Sequence, residues 1–290
     1  MLILCKLEYM TWTSAHTNWF SKTSDRLKTS DGKNIEIWEF QYLNDERVFQ
    51  LWAKHFRNHY CSDDDIDFLK GKRSRKDYLN DIKFPSASSK LGPGIRAGDF
   101  GEIIIADFLE FLLGYKVPRF RWCSKMIRDE SPKGCDVIGY KFDQEDEFSE
   151  SDNLIIYESK TEFSRTKENR MQNAINDSSK DHIRIDESLN YIKQKFYEKN
   201  NKEEALLIER FQSPVDLPYK ESYGAALVVS DDLYEVDKIQ LADCEKIPIK
   251  KKSDEFKSHP QKDKLKLLIF KGPEMMTLVH ELYRRAADEA

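Results

Sequence analysis

Glu158 and Lys160 have the residue types and spacing of a catalytic pair, and they directly follow an apolar run at 154–157. Side chains in a strand repeat with a period of two, so we expect both charges on the same face. There the carboxylate can ligate a hydrated metal ion, while the lysine orients an attacking water or stabilises negative charge on a phosphorane. The alternative is a structural ion pair at a strand end. Three other acid-x-lysine triplets occur, but only this one ends an apolar strand, where a buried ion pair is costly.

Two further carboxylates are expected beside this pair. Asp136 follows a turn-forming segment at 132–134, and a hairpin would place it next to Glu158. Adjacent carboxylates repel each other, and a divalent cation relieves that repulsion. Glu102 lies in an apolar helix, where the alternative role is to complement the helix dipole. Hard oxygen ligands favour Mg²⁺ or Mn²⁺ over zinc. The predicted metal ligands are Glu102, Asp136 and Glu158, and Lys160 completes the predicted catalytic set.

The elements that must position these residues follow from the apolar pattern. A helix is expected at 98–113, with Gly114 suited to a left-handed cap. Later elements are three strands at 117–127, 135–142 and 153–160, a helix at about 168–197, strands at 223–230 and 265–270, and a helix from 273 to about 287. This order predicts an α/β sandwich.

The first 94 residues differ in character from the rest. They hold four of the five tryptophans, a strand-like segment at 35–40 and a helical one at 45–59, and they end in a Ser/Gly/Pro-rich loop. We expect an aromatic-rich α+β extension at 1–94 and a catalytic domain at 95–290. The tryptophans predict either an internal structural cap or a surface that docks a partner.

The net charge of −5 requires that any nucleic-acid contact come from local basic patches. Three basic side chains alternate on one face of the strand expected at 117–127, where a phosphate backbone would run. The predicted DNA-contacting residues are Arg119, Arg121, Lys125 and Lys133. The basic runs at 70–76 and 250–252 either extend this track or form solvated loops.

Other classes of site receive less support. His55, His59 and Cys61 have metal-like spacing but no clear fourth zinc donor, so we expect ordinary histidines. The sequence has no Walker-type phosphate loop, which predicts no nucleotide cofactor. Five scattered cysteines without a Cys-x-x-Cys pair and the lack of a long apolar segment predict a cytoplasmic protein without a disulfide framework or membrane span.

Four motifs carry a family resemblance that extends from about residue 35 to the C-terminus. They are Trp-Ala-Lys-His-Phe-Arg-Asn-His-Tyr-Cys-Ser-Asp at 52–63, Ile-Arg-Ala-Gly-Asp-Phe-Gly-Glu at 95–102, Glu-Ser-Pro-Lys-Gly-Cys-Asp at 130–136 and Tyr-Glu-Ser-Lys at 157–160. With them, the chain resembles the HamA-type nuclease subunit of the bacterial Hachiman anti-phage system. More broadly, it resembles the restriction-endonuclease-like αβββαβ core of PD-(D/E)xK nucleases. One departure from the superfamily motif is that Asp136 follows Gly-Cys rather than proline.

The resemblance implies a metal-dependent DNA endonuclease that hydrolyses phosphodiesters with metal-activated water. It also implies a superfamily 2 helicase partner (HamB-like) and destruction of DNA when infection is sensed. The alternative is a non-catalytic nuclease-fold subunit that binds and regulates a helicase on DNA. The intact set of Asp136, Glu158 and Lys160 argues against that alternative, because an idle site has no reason to keep a crowded charge cluster.

Overall fold

A mixed β-sheet forms the centre of the computed structural model, which describes residues 12–43, 45–144, 146–249 and 255–289. Within these residues the main sheet has the strand order β1-β3-β9-β6-β5-β4, with β2 paired to β3, and β7 pairs with β8 in a separate ribbon. The strands are β1 Phe20–Lys22, β2 Leu27–Lys28, β3 Asn34–Phe40, β4 Val137–Lys141, β5 Asn153–Glu162, β6 Lys220–Ser230, β7 Ile247–Pro248, β8 Phe256–Lys257 and β9 Leu265–Gly272.

Helices lie on both faces of the main sheet. Their bounds are α1 Glu46–Asn58, α2 Asp63–Leu69, α3 Arg75–Tyr78, α4 Gly92–Asp107, α5 Phe120–Cys123, α6 Arg170–Ser178, α7 Asp181–Glu198, α8 Lys202–Ile208, α9 Val236–Gln240 and α10 Met275–Asp288. Short π-helical turns at Leu79–Lys83 and Phe108–Leu112 extend α3 and α4. No helix in the described parts of the chain has the length and apolarity needed to cross a membrane.

The parallel strands β5 and β6 divide the hydrophobic core into two layers. Tyr157 and Val228 face the layer that contains α1, α4 and α10. Their neighbours Ile156 and Leu227 face the opposite layer, which contains α6 and α7. Strands buried on both faces need nearly continuous apolar runs, and this explains the composition of both segments. The expected α/β sandwich is therefore present.

The N-terminal part shares this sheet and core. Strand β3 pairs in parallel with β9, and α1 packs against α10. Trp19 and Trp52 are buried in the same cluster as the residues of α4. The described N-terminal residues thus share one hydrophobic core with α4 and α10, and most aromatic side chains among them are internal.

The prediction of a strand at 117–127 was wrong. Only Lys116 bridges to Tyr140 on β4, and the chain then turns into the short helix α5. Pro118 has no backbone N–H with which to continue the ladder. The alternation of basic and aromatic residues therefore reflected separate ion pairs rather than a strand face.

The single helix expected at 168–197 is divided into α6 and α7, with a break at Ser179 and Lys180. The hydroxyls of Ser178 and Ser179 donate hydrogen bonds to the carbonyls of Ile175 and Asn176, at 3.0 and 2.7 Å. Serine hydroxyls that bond to nearby carbonyls in this way compete with the helical pattern.

Candidate active site

Glu102 reaches the sheet because Gly101 allows α4 to approach β5 closely. A Cβ atom at residue 101 would lie 2.5 Å from Cγ2 of Thr161 and 3.2 Å from Oγ of Ser159. Without that atom, the helix packs directly against the strand that carries Glu158, and Glu102 is buried. Any larger residue at 101 would push Glu102 away from the strand.

Asp136 is placed by the turn that precedes β4. Gly134 has a φ of +97°, a backbone conformation that glycine adopts without strain. The N–H of Cys135 donates to Oγ of Ser188 at 3.2 Å, and Oδ2 of Asp136 accepts the N–H of Ser159 at 3.1 Å. The antiparallel register pairs Val137 with Tyr157, so the preceding residue lies beside Glu158.

Glu158 and Lys160 form a direct ion pair on β5. The lysine Nζ lies 2.6 Å from Oε1 of Glu158 and 2.9 Å from Oδ2 of Asp177 on α6. Glu158 is buried, whereas the lysine side chain is partly accessible from the cleft. Asp177 thus provides a second carboxylate partner for the ammonium.

Arg121 on α5 bridges the other two carboxylates. Its Nε donates to Oε2 of Glu102 at 2.7 Å, and its Nη2 donates to Oδ1 of Asp136 at 2.6 Å. The indole N–H of Trp122 donates to the same Oε2 of Glu102 at 3.2 Å. The short helix therefore supplies two hydrogen-bond-donating side chains to the site.

Burial and mutual repulsion control protonation in this cluster. Burial, and then the negative charge of Asp136, raise the pKa of Glu158 to about 9 despite Lys160. Burial also raises the pKa of Glu102 to about 7, against the opposing effect of Arg121. Burial lowers the pKa of Lys160, but the charges and hydrogen bonds of its acidic neighbours, Glu158 foremost, together raise it above its ordinary value. Glu102 and Glu158 are therefore harder to ionise here than in water.

The four predicted catalytic residues line one cleft of about 860 Å³. One wall is the start of α4, another is the loop 131–136, and the floor is β5. Arg184 of α7 and His280 of α10 also line this space. Residues from a helix, a loop and a strand, distant in sequence, thus converge on one accessible surface.

The family model described as HamA matches residues 14–286, nearly the whole chain. The chain belongs to the HamA family. It is thus a HamA-like protein of Hachiman defence. Neither the curated proteins nor the solved structures contain a match to it.

The predicted DNA-contacting residues of this HamA-family chain occupy different environments. Arg119 is buried, with Nη1 2.7 Å from Oδ1 of Asp107 and Nη2 2.6 Å from Oε2 of Glu110. Lys125 is buried against Asp99, with Nζ 2.5 Å from Oδ2. Both cations are thus held inside the protein by carboxylates rather than presented to a phosphate backbone.

Lys133 is different, because it is exposed and lines the cleft. Within the run at 70–76, Arg75 pairs with Asp63 and Asp67, and Lys76 pairs with Asp288. The run at 250–252 lies outside the described residues. Of the four predicted contacts, only Lys133 combines exposure with a position on the cleft.

His16, His55 and Asp107 are the described side chains whose potential ligand atoms all lie within 4.8 Å of one another. The hydrogen bonds assign them a structural role. Nδ1 of His55 accepts the N–H of Thr13 at 3.3 Å, so its Nε2–H donates to Asp107 at 2.9 Å. With Arg119 also on Asp107, this buried group is an ion-paired network rather than a cation site.

His55 and His59 are buried, and Nδ1 of His59 bonds to the carbonyl of His55 at 3.0 Å. Both rings thus have hydrogen-bond partners within the protein. Cys61 is a free thiol, and burial raises its pKa to about 11, which disfavours the thiolate form.

Three carboxylates near the site were missed from sequence: Asp99, Asp177 and Asp181. Asp99 lies one turn before Glu102 and lines the cleft. Asp181 is fully buried, and burial followed by the charge of Asp136 raises its pKa to about 7. Asp99 could have been found from its helical spacing to Glu102, which places both on one helix face. The positions of Asp177 and Asp181 near the site depend on how α6 and α7 pack on β5, which the sequence does not show.

Proposed function

We propose that this HamA protein is a metal-dependent DNA endonuclease of the Hachiman system. The observation that carries the proposal is the convergence of Glu102, Asp136, Glu158 and Lys160 on one cleft. The order of elements supports it. Helix α4 is followed by the bridge at Lys116, strands β4 and β5, helices α6 and α7, and strand β6. That order is consistent with the αβββαβ core of PD-(D/E)xK nucleases, with the first strand reduced to a bridge.

The donor set fits a hard divalent cation. Glu102, Asp136 and Glu158 offer carboxylate oxygens, which Mg²⁺ and Mn²⁺ prefer. Burial, and then the charge of Asp136, raise the pKa of Glu102 and Glu158, so a cation among these carboxylates would favour their ionised forms. When bound there, the ion would polarise the phosphodiester and increase the acidity of a water molecule.

Lys160 acts as a cation in this proposal. Its raised pKa keeps the ammonium protonated at neutral pH, so it stabilises negative charge on the phosphate rather than accepting a proton. Asp177 is a positioning residue, because it bonds to Lys160 without belonging to the carboxylate set. The two acceptors together fix the direction of the ammonium.

The family membership supports a role in defence, and we further propose that the chain works on DNA with a superfamily 2 helicase subunit. An unrestrained nuclease would attack the host chromosome, so a partner that controls access to the cleft has a clear physical purpose. Most described aromatic side chains of residues 1–94 are internal, but Phe68 is 89% exposed and is our candidate for the docking surface.

The test is cleavage of supercoiled plasmid by the purified chain, alone and with its co-expressed helicase, in Mg²⁺ and in a chelator. We expect Mg²⁺-dependent nicking that Glu158→Ala and Lys160→Ala abolish. Lys193→Ala is the control, because this lysine pairs with Glu209 at 2.5 Å on the exposed surface. If both site variants cut at the parent rate, the site assignment is wrong. A folded, metal-binding complex that never cuts DNA would favour the regulatory alternative.

A further inference from the structure

The guanidinium of Arg121 is surrounded by oxygen atoms. Besides its bonds to Glu102 and Asp136, its Nη1 donates to the carbonyl oxygens of Lys133 and Cys135 at 3.3 and 3.1 Å. Its Nη2 also lies 3.3 Å from Oε1 of Glu102. Three carboxylate and two carbonyl oxygens thus enclose one cation, and the side chain is only 11% exposed.

This arrangement explains why the predicted metal ligands do not converge more closely. Among the described residues, Glu102, Asp136 and Glu158 do not form a group with all ligand atoms within 4.8 Å. The guanidinium lies between the first two, and Lys160 holds the third. Carboxylate and carbonyl oxygens are also the ligands that Mg²⁺ and Mn²⁺ take. The arginine and a metal ion would therefore compete for the same oxygens.

We propose that Arg121 is a displaceable counter-ion that occupies the metal position in the metal-free protein and must withdraw before the metal binds. This inference rests on the proposed function, because it assumes that Glu102 and Asp136 are metal ligands. It assigns Arg121 a role at the reaction site, although the sequence pattern suggested only contact with the DNA backbone.

The charges favour exchange over a permanent ion pair. One guanidinium neutralises only one of the two carboxylates that it bridges, whereas a divalent ion neutralises both. Arg121 also lines the cleft from a four-residue helix outside the sheet. A side-chain rotation could therefore release it without breaking a strand ladder.

Displacement also provides restraint. While Arg121 bridges Glu102 and Asp136, the oxygens that it binds are not available to a metal ion. A phosphate offers the released guanidinium the same paired oxygen acceptors as a carboxylate. DNA in the cleft would then favour the arrangement in which Arg121 is released from Glu102 and Asp136. Metal binding would therefore be coupled to the presence of DNA.

The test is Mn²⁺ titration calorimetry on the full chain without DNA, for the parent, Arg121→Ala and Arg121→Lys. If the bridge occupies the site about 90% of the time, its removal tightens the apparent affinity about tenfold, since affinity scales with the competent fraction. Arg121→Lys should give a smaller gain, because lysine keeps the charge but cannot reproduce the planar fork.

Thermal unfolding supplies a second measurement that does not depend on activity. In chelator, Arg121→Ala should melt below the parent, because two buried carboxylates lose their counter-ion. Mn²⁺ should then raise its melting temperature more than that of the parent. The matched control is Arg210→Ala, since Arg210 is also 11% exposed and binds Asp152 and the carbonyl of Gln144 (3.1 Å). Mn²⁺ should not rescue that variant.

The outcomes separate this inference from the proposed function. A parent that binds Mn²⁺ at least as tightly as both Arg121 variants overturns the counter-ion role and leaves the metal site intact. Absence of Mn²⁺ binding in the parent and in both folded variants overturns the metal site and the counter-ion role together. Tighter binding by both variants, with no change in Arg210→Ala, supports the exchange.

Discussion

Glu158→Gln should stabilise the metal-free protein while removing its capacity to bind metal. The substitution keeps the size of the side chain but removes the charge that burial and Asp136 oppose. In the folded protein the pKa of Glu158 is raised from 4.5 to about 9, so folding at neutral pH requires either proton uptake or a buried charge. The glutamine has neither cost.

The sign and size follow from proton linkage. Below pH 4.5 both the folded and the unfolded chain carry the neutral acid, so the two proteins differ little. Above that pH the unfolded parent ionises first, and the parent loses stability until the pH reaches about 9. Each pH unit in this window corresponds to about 1.4 kcal/mol, so the gain from glutamine at pH 7 is at most about 3.5 kcal/mol.

Urea denaturation in chelator at about pH 5 and about pH 8 measures this difference. The matched control is Glu162→Gln, because Glu162 is buried on the same strand and its partner Lys238 lies 2.5 Å away. This substitution removes a buried carboxylate outside the predicted catalytic set, so we expect it not to reproduce the gain of Glu158→Gln. The reasoning is refuted if Glu158→Gln is less stable than the parent at the higher pH, or if its gain is the same at both.

The remaining predictions concern acid sensitivity and DNA contact. Burial lowers the pKa of His259 to about 4, so the unfolded chain takes up this proton first as the pH falls below 6.5. His259→Asn should therefore reduce the acid destabilisation at pH 5.5 by roughly 1 kcal/mol, measured as a smaller fall in melting temperature. Lys133→Gln should weaken DNA binding and reduce its salt slope by about one, as measured by fluorescence anisotropy in a salt series. An unchanged slope would place Lys133 away from the DNA.

Local patterns in the sequence indicated the residues of the candidate site. Strand periodicity placed Glu158 and Lys160 on one face, and the structure shows them in direct contact. The turn at Gly134 and the hairpin register placed Asp136 beside them. These inferences succeeded because they depend on neighbouring residues and on the fixed geometry of a strand.

The prediction of a strand at 117–127 failed, because the sequence does not show which carboxylate each basic side chain contacts. The alternation of Arg119, Arg121 and Lys125 resembled a strand face, yet each cation pairs with a different carboxylate. Alternation cannot distinguish a basic surface from three separate buried ion pairs, because the acids come from another part of the chain. Local pattern also does not show that the N-terminal residues join the main sheet, since β3 pairs with β9 across more than two hundred residues.

The sequence by itself determined the α/β class, the family resemblance and the four candidate catalytic residues, because these are expressed in local periodicity and in short motifs. Only the tertiary structure showed that Arg121 lies between Glu102 and Asp136 and that Asp177 holds Lys160. Those contacts join α4, α5, β5 and α6, whose relative positions are set by packing against a common sheet. The charge balance of the site is therefore a property of the folded chain and cannot be read from any single segment.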